Sequence, residues 1–170
     1  MELSDKTKKD LEGLYQFFLH DERIIRMKDI PMQRGSNCYL HSFRVCKLAV
    51  KTAIEEGQGH LEAIITASIL HDYYLYDWRK DKEKRKHHGG KHPFVAVENA
   101  ERDFHICDEV KNIILCHMYP LNHEYKPTTY EEKLVAKCDT RIATKEFMSS
   151  AKHKERDMDK YYKEIEKLFD

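Results

Sequence analysis

Residues 63–72 of this 170-residue chain read AIITASILHD, and this stretch decides the fold. Apart from Thr66 and Ser68, its first eight residues are apolar, so a helix formed here has no polar face of the kind that a surface helix shows. We therefore expect it at the centre of the molecule, surrounded by other helices. The stretch ends on His71 and Asp72, where a buried and unpaired carboxylate would cost several kcal/mol or more. A bound metal cation is the simplest compensation for Asp72.

Apolar residues recur at helical spacing on both sides of this run, and we find no strand alternation in the sequence. A break at 31–35 precedes a helix that Ser36 or Asn37 can cap and that ends near Gly57. Further apolar stripes or capping signals lie at 11–18, 110–114, 128–132 and 158–169. The sequence therefore predicts an all-α bundle of about six or seven helices.

Residues 77–91 interrupt this pattern with a mixture of basic and acidic side chains. We expect them to form one long loop, of a length that is usually functional or flexible. His92 and Pro93 then indicate a helix start, because proline is favoured at the first helical position. The basic residues of this loop could meet substrate charge, or they could belong to a solvated surface.

Composition limits the class of protein. A length of 170 residues fits one domain over 1–170, with a C-terminal helix at 151–170 docked on it. Thirty basic and thirty acidic residues give a formal net charge of +0, so we expect neither a nucleic-acid nor a membrane partner. The first residues lack a signal-peptide layout, no apolar run approaches the roughly 20 residues of a membrane span, and the five cysteines contain no Cys-x-x-Cys. These features predict a cytoplasmic protein with reduced thiols, and they leave the oligomeric state open.

Three polar residues lie on the apolar faces of separate helices, three to seven positions from apolar neighbours. A lone histidine or aspartate in such a place is usually a hydrogen-bonded core residue. Several helices that aim such groups inward alongside His71 and Asp72 instead favour a shared metal site. The three residues and their neighbours are His41 with Val45 and Leu48, His117 with Val110, Ile113 and Ile114, and Asp139 with Val135 and Ile142.

Imidazole and carboxylate ligands without thiolate suit divalent Fe, Mn, Ni, Co or Zn, and a carboxylate can bridge two ions. Mixed sites of this kind leave coordination positions open for water, as catalytic sites do and closed structural sites do not. We therefore expect one or two ions per chain, in a site that carries out chemistry.

His41, the pair His71-Asp72, and Asp139 match the H…HD…D signature of the HD-domain superfamily of metal-dependent phosphohydrolases. The resemblance covers roughly residues 30–147 and implies an HD-type helical bundle. The surrounding text is also similar, with LHSFRV at 40–45, KHP at 91–93 and IILCH at 113–117. The segments RGSN at 34–37, YDW at 76–78 and HMYPL at 117–121 most resemble small stand-alone bacterial members.

The resemblance also implies a division of the ligands. His41, His71, Asp72 and Asp139 would hold a first metal ion. Asp72 would bridge to a second ion, for which the two further family histidines correspond by position to His92 and His117.

Two departures from the family pattern affect substrate binding. Many members follow the HD pair with Gly-Lys, whereas residues 73–76 here read YYLY, so phosphate contacts must come from elsewhere. Lys91 and Arg44 are the candidates, although Arg44 could equally bond a neighbouring helix. His117 is followed by Met118 and not by a second histidine, which argues against a cyclic-dinucleotide substrate and a third metal.

The function implied is metal-dependent hydrolysis of a phosphate ester or anhydride in a nucleotide or another small phosphorylated metabolite. Asp72, His88 and Lys91 are the expected catalytic residues, with His88 a candidate proton donor to the leaving group. A mixed-valent di-iron oxygenase could use the same ligand set. A non-catalytic module that binds a nucleotide or a metal is the other alternative.

Overall fold

The computed structural model describes residues 1–32, 36–80, 82–148 and 158–169, without the side chains of 82–85 and 87. This part of the chain forms helices and contains no strand, so the predicted all-α class is confirmed. A single 3-10 turn, Arg26–Asp29, follows the second helix. The eight described α-helices are α1 (Asp5–His20), α2 (Glu22–Ile25), α3 (Cys38–Glu56), α4 (Leu61–Leu70), α5 (Lys82–Phe104), α6 (Asp108–Cys116), α7 (Tyr130–Met148) and α8 (Met158–Lys163).

Helix α4 lies at the centre of the bundle, as its apolar sequence predicts. Every residue of α4 except Glu62 and Thr66 is buried. The helix packs against α1, α3, α5, α6 and α7. Each fully buried isoleucine or leucine contributes about 1.5–3 kcal/mol relative to an exposed one, so burial of this helix contributes substantially to the stability of the fold.

Two helix ends follow the capping signals in the sequence. The Asn37 side chain accepts a hydrogen bond from the backbone of Leu40 and caps α3, which ends before Gly57 in the left-handed conformation (φ 73°). At the start of α7, the Thr129 hydroxyl accepts the Glu132 N–H at 3.3 Å, and a Glu132 carboxylate oxygen accepts the Thr129 N–H at 3.1 Å. This reciprocal pair is a capping box.

The predicted loop at 77–91 and the helix start at His92-Pro93 are wrong, because α5 already begins at Lys82 and contains Pro93. An interior proline lacks the N–H that would bond the carbonyl four residues earlier, here that of Gly89. The buried face of α5, which packs on α4 and α6, outweighs this loss. Asp81, and the side chains of 82–85 and 87 in the predicted basic cluster, lie outside the described residues.

The C-terminal segment packs on the bundle. After α8 the chain continues in turns, and Ile165 and Leu168 are buried in the core. The Tyr15 hydroxyl donates to the carbonyl of Ile165 at 2.8 Å. Residues 151–157 and 170 of the predicted C-terminal helix lie outside the described residues, and a single domain over 1–170 stays a prediction.

Within the described ranges, no helix is both long enough and apolar enough to cross a membrane.

Candidate metal centre

The six predicted metal ligands come together in the middle of the bundle. They come from five helices or the residues that directly follow them, and their side chains are almost wholly buried. Asp139 is the most accessible of the six, with 14% of its side chain exposed. The ligands are His41 from α3, His71 and Asp72 after α4, His92 from α5, His117 after α6, and Asp139 from α7.

The four histidines share one orientation. Each uses Nδ1 for a hydrogen bond away from the cluster and turns Nε2 towards it, which is how metal-binding histidines are usually held. His71 and His117 cap the ends of their helices, where the last carbonyls lack an intrahelical partner and can accept these bonds. The Nδ1 partners are the carbonyls of Ser68 for His71 (2.8 Å), His88 for His92 (2.8 Å) and Ile114 for His117 (2.6 Å), and the Glu146 carboxylate for His41 (2.9 Å).

Asp72 lies between two pairs of histidines. Its Oδ2 atom is 3.5 Å from Nε2 of His71 and 4.0 Å from Nε2 of His41. Its Oδ1 atom is 3.2 Å from Nε2 of His92 and 3.9 Å from Nε2 of His117. The two oxygens of one carboxylate thus face the two ligand groups that the family resemblance implies.

Asp139 completes the group around His41. Its Oδ1 atom is 2.9 Å from Nε2 of His41 and 3.7 Å from Nε2 of His71. On the other side of the cluster, the Nε2 atoms of His92 and His117 approach to 2.9 Å. The ligand atoms form three overlapping groups in which all lie within 4.8 Å of one another: His41, His71 and Asp72; Asp72, His92 and His117; and His71, His117 and Asp139.

The electrostatics of the cluster depend on histidine protons when no cation is bound. Burial favours neutral carboxyls, but the charge of His71 holds the pKa of Asp72 well below its usual range, and the hydrogen bond from His41, with the nearby charge of His71, does the same to the pKa of Asp139. Burial also opposes charged imidazoles, yet the bonds to Asp139 and Glu146 raise the pKa of His41 to about 10, and the charge of Asp72 raises that of His71. Burial and neighbouring positive charge instead lower the pKa of His117 to about 3. The buried imidazoles and carboxylates therefore favour each other's charged forms, and a bound cation would likewise favour the ionised carboxylates.

The residues present fit a metal ion. Nε2 of His71 is buried and has no hydrogen-bond partner among the described residues, with carboxylate oxygens no nearer than 3.5 Å. An unsatisfied buried polar group costs about 1–3 kcal/mol. A cation among these atoms would satisfy the nitrogen, and the donor set of imidazoles and carboxylates suits a divalent transition metal.

His88 lies beside the cluster and not in it. Its ring stacks on His92 at 4.6 Å and on Trp78 at 5.0 Å, and its Nδ1 is 3.2 Å from the Tyr76 hydroxyl. Burial, helped by the charge of His92, lowers the pKa of His88 to about 4. The imidazole of His88 is therefore neutral near pH 7.

The structure separates the two predicted substrate-binding residues. Lys91 is exposed on α5, next to His92 and outside the three ligand groups. Arg44 lies behind His41 and donates to Glu146 at 3.0 Å and to Glu164 at 3.4 Å. These contacts favour the alternative in which Arg44 bonds neighbouring elements.

Glu146 is the residue of this site that sequence reasoning missed. It is 7% exposed, and its carboxylate contacts His41, Arg44 and Ser36. Burial favours its neutral form, but the hydrogen bond from His41 keeps its pKa below the usual value. The sequence feature that could have indicated Glu146 was its position seven residues after Asp139, two turns along the same face of α7.

Arg34 and Gly35, two residues of the quoted segment 34–37, lie outside the described residues.

The sequence model of the HD-domain family matches residues 38–144. No curated protein and no solved structure matches the chain. The matched region contains all six predicted ligands, together with Arg44, His88 and Lys91, whereas Glu146 and α8 lie beyond its end.

Proposed function

The chain belongs to the HD-domain family, and on this premise we propose that it hydrolyses a phosphate ester or anhydride of a small metabolite, such as a nucleotide, with metal ions as cofactors. The observation that carries the proposal is the convergence of four histidine Nε2 atoms on the carboxylates of Asp72 and Asp139. A purely structural histidine needs no such common target. The formal net charge of +0 supports a small substrate over nucleic acid.

We assign His41, His71, Asp72 and Asp139 to a first ion and Asp72, His92 and His117 to a second. When bound, one or two divalent ions of Fe, Mn, Ni, Co or Zn would lower the pKa of water towards neutrality and offset charge on the phosphoryl oxygens. The split of the two Asp72 oxygens between the two histidine pairs supports a bridging role. The hydrogen bonds at Nδ1 keep the rings oriented, so the ligands are arranged before any ion binds.

His88 supplies a proton-bearing group next to the cluster. We assign the Tyr76 hydroxyl as the donor to its Nδ1, so the proton of the neutral ring lies on Nε2. From there the neutral ring can donate a hydrogen bond to a leaving-group oxygen and stabilise the negative charge that develops on it. The stacking on Trp78 and His92 holds the ring in place.

We assign Lys91 to bind the negatively charged phosphate of the substrate. Lys91 is exposed and directly precedes His92 in the sequence. Arg44 already pairs with two carboxylates. Trp78 is covered by His88 on one face, and the Arg79 guanidinium lies 4.9 Å from its ring centroid. We therefore do not assign Trp78 a role in stacking on a nucleotide base.

The test measures metal content and hydrolysis together. Protein purified without chelator and loaded with Mn²⁺ or Zn²⁺ is assayed on nucleotides and generic phosphomonoesters, beside Asp72→Asn and a control at the exposed Asp108, Asp108→Asn. We expect Asp72→Asn to lose bound metal and hydrolysis and Asp108→Asn to keep both. Retention of both by Asp72→Asn would refute the proposal.

The same preparations separate the two alternatives. A di-iron oxygenase needs oxygen and a redox-active metal, so full activity with Zn²⁺ under anaerobic conditions excludes it. A binding module would retain a nucleotide and release it unchanged after long incubation with metal. Turnover of that nucleotide excludes the module.

A further inference from the structure

We propose that the C-terminal segment 158–169, here called the clasp, helps to set the metal affinity of the site. It acts through a chain of charged side chains that runs from Glu164 through Arg44 and Glu146 to His41. The inference rests on the proposed metal-dependent function. It makes Glu164, Arg44 and Glu146 positioning residues, none of which belongs to the three groups of ligand atoms.

The first link joins Glu146 to His41. One carboxylate oxygen of Glu146 lies 2.9 Å from Nδ1 of His41, and the other accepts from Arg44 at 3.0 Å and Ser36 at 2.9 Å. The oxygen that faces His41 accepts the hydrogen bond from Nδ1, while Arg44 and Ser36 hold the other oxygen. Nε2 of His41, which faces Asp139, is then the atom available to a metal ion.

The second link joins Arg44 to the clasp. Its guanidinium lies between Glu146 on one side and Glu164, at 3.4 Å, on the other, and it covers the ring of Tyr161 at 4.6 Å. The backbone carbonyl of Glu164 accepts a hydrogen bond from Lys47 at 2.9 Å. Only 18% of the Arg44 side chain is exposed, so the clasp restricts the directions in which the guanidinium can move.

The clasp has its own anchors, so its position does not depend on Arg44. Ile165 is 1% exposed, and Glu12 accepts hydrogen bonds from the backbone of Leu168 and Phe169. The Tyr162 hydroxyl accepts from the side chain of Asn37, the residue that caps the helix carrying His41. Glu164 is thereby held next to Arg44 by contacts with the core.

The loss of metal affinity on substitution should be largest at Glu146, which contacts His41 directly, and smaller at Glu164, which contacts only Arg44 in this series. Loss of a partner directly bonded to a metal-ligating histidine typically weakens metal binding 10–100-fold. The Arg44–Glu164 pair is partly exposed, with 47% of the Glu164 side chain accessible, so its loss should weaken binding about two- to five-fold.

The experiment measures the Zn²⁺ dissociation constant of the full chain by competition with a chelator. The variants are Glu146→Gln, Glu164→Gln and, as a matched control, Glu166→Gln, an exposed glutamate two residues further along the clasp. We expect the 10–100-fold and two- to five-fold losses for the first two variants and the wild-type value for the control. In an Arg44→Met background, Glu164→Gln should have no further effect, because the connection between them is already lost.

The second measurement is the NMR chemical shift of the His41 Nδ1 proton in the Zn²⁺-loaded protein. A purely structural role of the substituted residue would leave this shift unchanged. We expect it to change in Glu146→Gln and to keep the wild-type value in Glu166→Gln. Thermal unfolding of each metal-free variant checks the fold. If Glu146→Gln does not fold, the Arg44 and Glu164 variants decide the question.

The inference is overturned if Glu164→Gln behaves like Glu166→Gln, or if a folded Glu146→Gln binds Zn²⁺ as the wild type does. Failure of the metal site itself has a different signature. In that case wild type and His41→Ala bind Zn²⁺ equally weakly, and the clasp inference falls with the site. Tight Zn²⁺ binding and hydrolysis by wild type, with an unchanged Glu164→Gln, would refute the clasp alone.

Discussion

Removal of metal should lower the thermal stability of this protein. Without a cation, Nε2 of His71 is a buried nitrogen with no hydrogen-bond partner among the described residues, at a cost of about 1–3 kcal/mol. By mass action, a metal ion held at about 100 times its dissociation constant stabilises the fold by about 2.7 kcal/mol. In a chain of this size 1 kcal/mol moves Tm by about 2–4 °C, so chelation should lower Tm by roughly 5–11 °C.

The assay is thermal unfolding followed by far-ultraviolet circular dichroism, with Zn²⁺ or with excess chelator, at one pH. His71→Ala removes a ligand of the proposed first ion and should reduce the difference between the two conditions, because Asp72, His92 and His117 remain for the second. Asp108→Asn removes an exposed carboxylate and should keep the difference. An unchanged wild-type Tm, in samples that elemental analysis shows to have lost their metal, would refute the reasoning.

Three further perturbations test the core, the catalytic assignment and one surface ion pair. Ile69→Ala empties a site that is 0% exposed in α4 and should lower the free energy of unfolding by about 2–5 kcal/mol, seen as a lower urea midpoint at unchanged slope. His88→Phe keeps the stacked ring and removes the N–H, so kcat should fall while the bound metal, measured by elemental analysis, stays at the wild-type level. A hydrogen bond from Arg23 keeps the pKa of Asp21 below 3.8. The ionised Asp21 carboxylate therefore stabilises the fold above that pH, and this stabilisation is lost as the pH falls through the lowered pKa. Asp21→Asn should therefore flatten the decline of Tm in acid, and a decline as steep as that of wild type would contradict this assignment.

The position of α4 and the inward direction of the ligands could be predicted from the sequence because both follow from local periodicity. A helix without a polar face has to be surrounded, and a residue four positions from a buried valine, such as His41, lies on the buried side. The convergence of the six side chains could not be derived from any one helix. It was predicted from the number of buried polar groups that needed a common partner and from the family resemblance.

The beginning of α5 could not be predicted, because its local signals oppose a helix. Gly89 and Gly90 weaken a helix, and Pro93 normally starts or breaks one. The helix forms because its later turns bury Ala96 and Ala100 against the bundle, which is a tertiary contact. Among the described side chains of α5, the buried positions begin at His92, so the packing that favours this helix lies in its later turns.

Glu146 was missed for a similar reason. It follows Lys145 in a charged stretch of α7, where most carboxylates are solvated, and its burial depends on Arg44 and Ser36 from distant parts of the chain. A sequence pattern shows which face of a helix a carboxylate lies on. It does not show whether a cation from another helix meets it there.

Among the described residues, the four histidines of the cluster differ in what accepts the hydrogen bond from Nδ1. His71, His92 and His117 each donate from Nδ1 to a main-chain carbonyl three or four residues earlier in the same part of the chain. His41 instead bonds the side chain of Glu146, which accepts hydrogen bonds from Arg44 of α3 and from Ser36, and Arg44 in turn contacts Glu164 of the clasp. A main-chain carbonyl cannot be removed by substitution, whereas a carboxylate and its partners can. We therefore expect substitutions of Glu146 and its partners to change metal binding through His41 more than through the other three histidines.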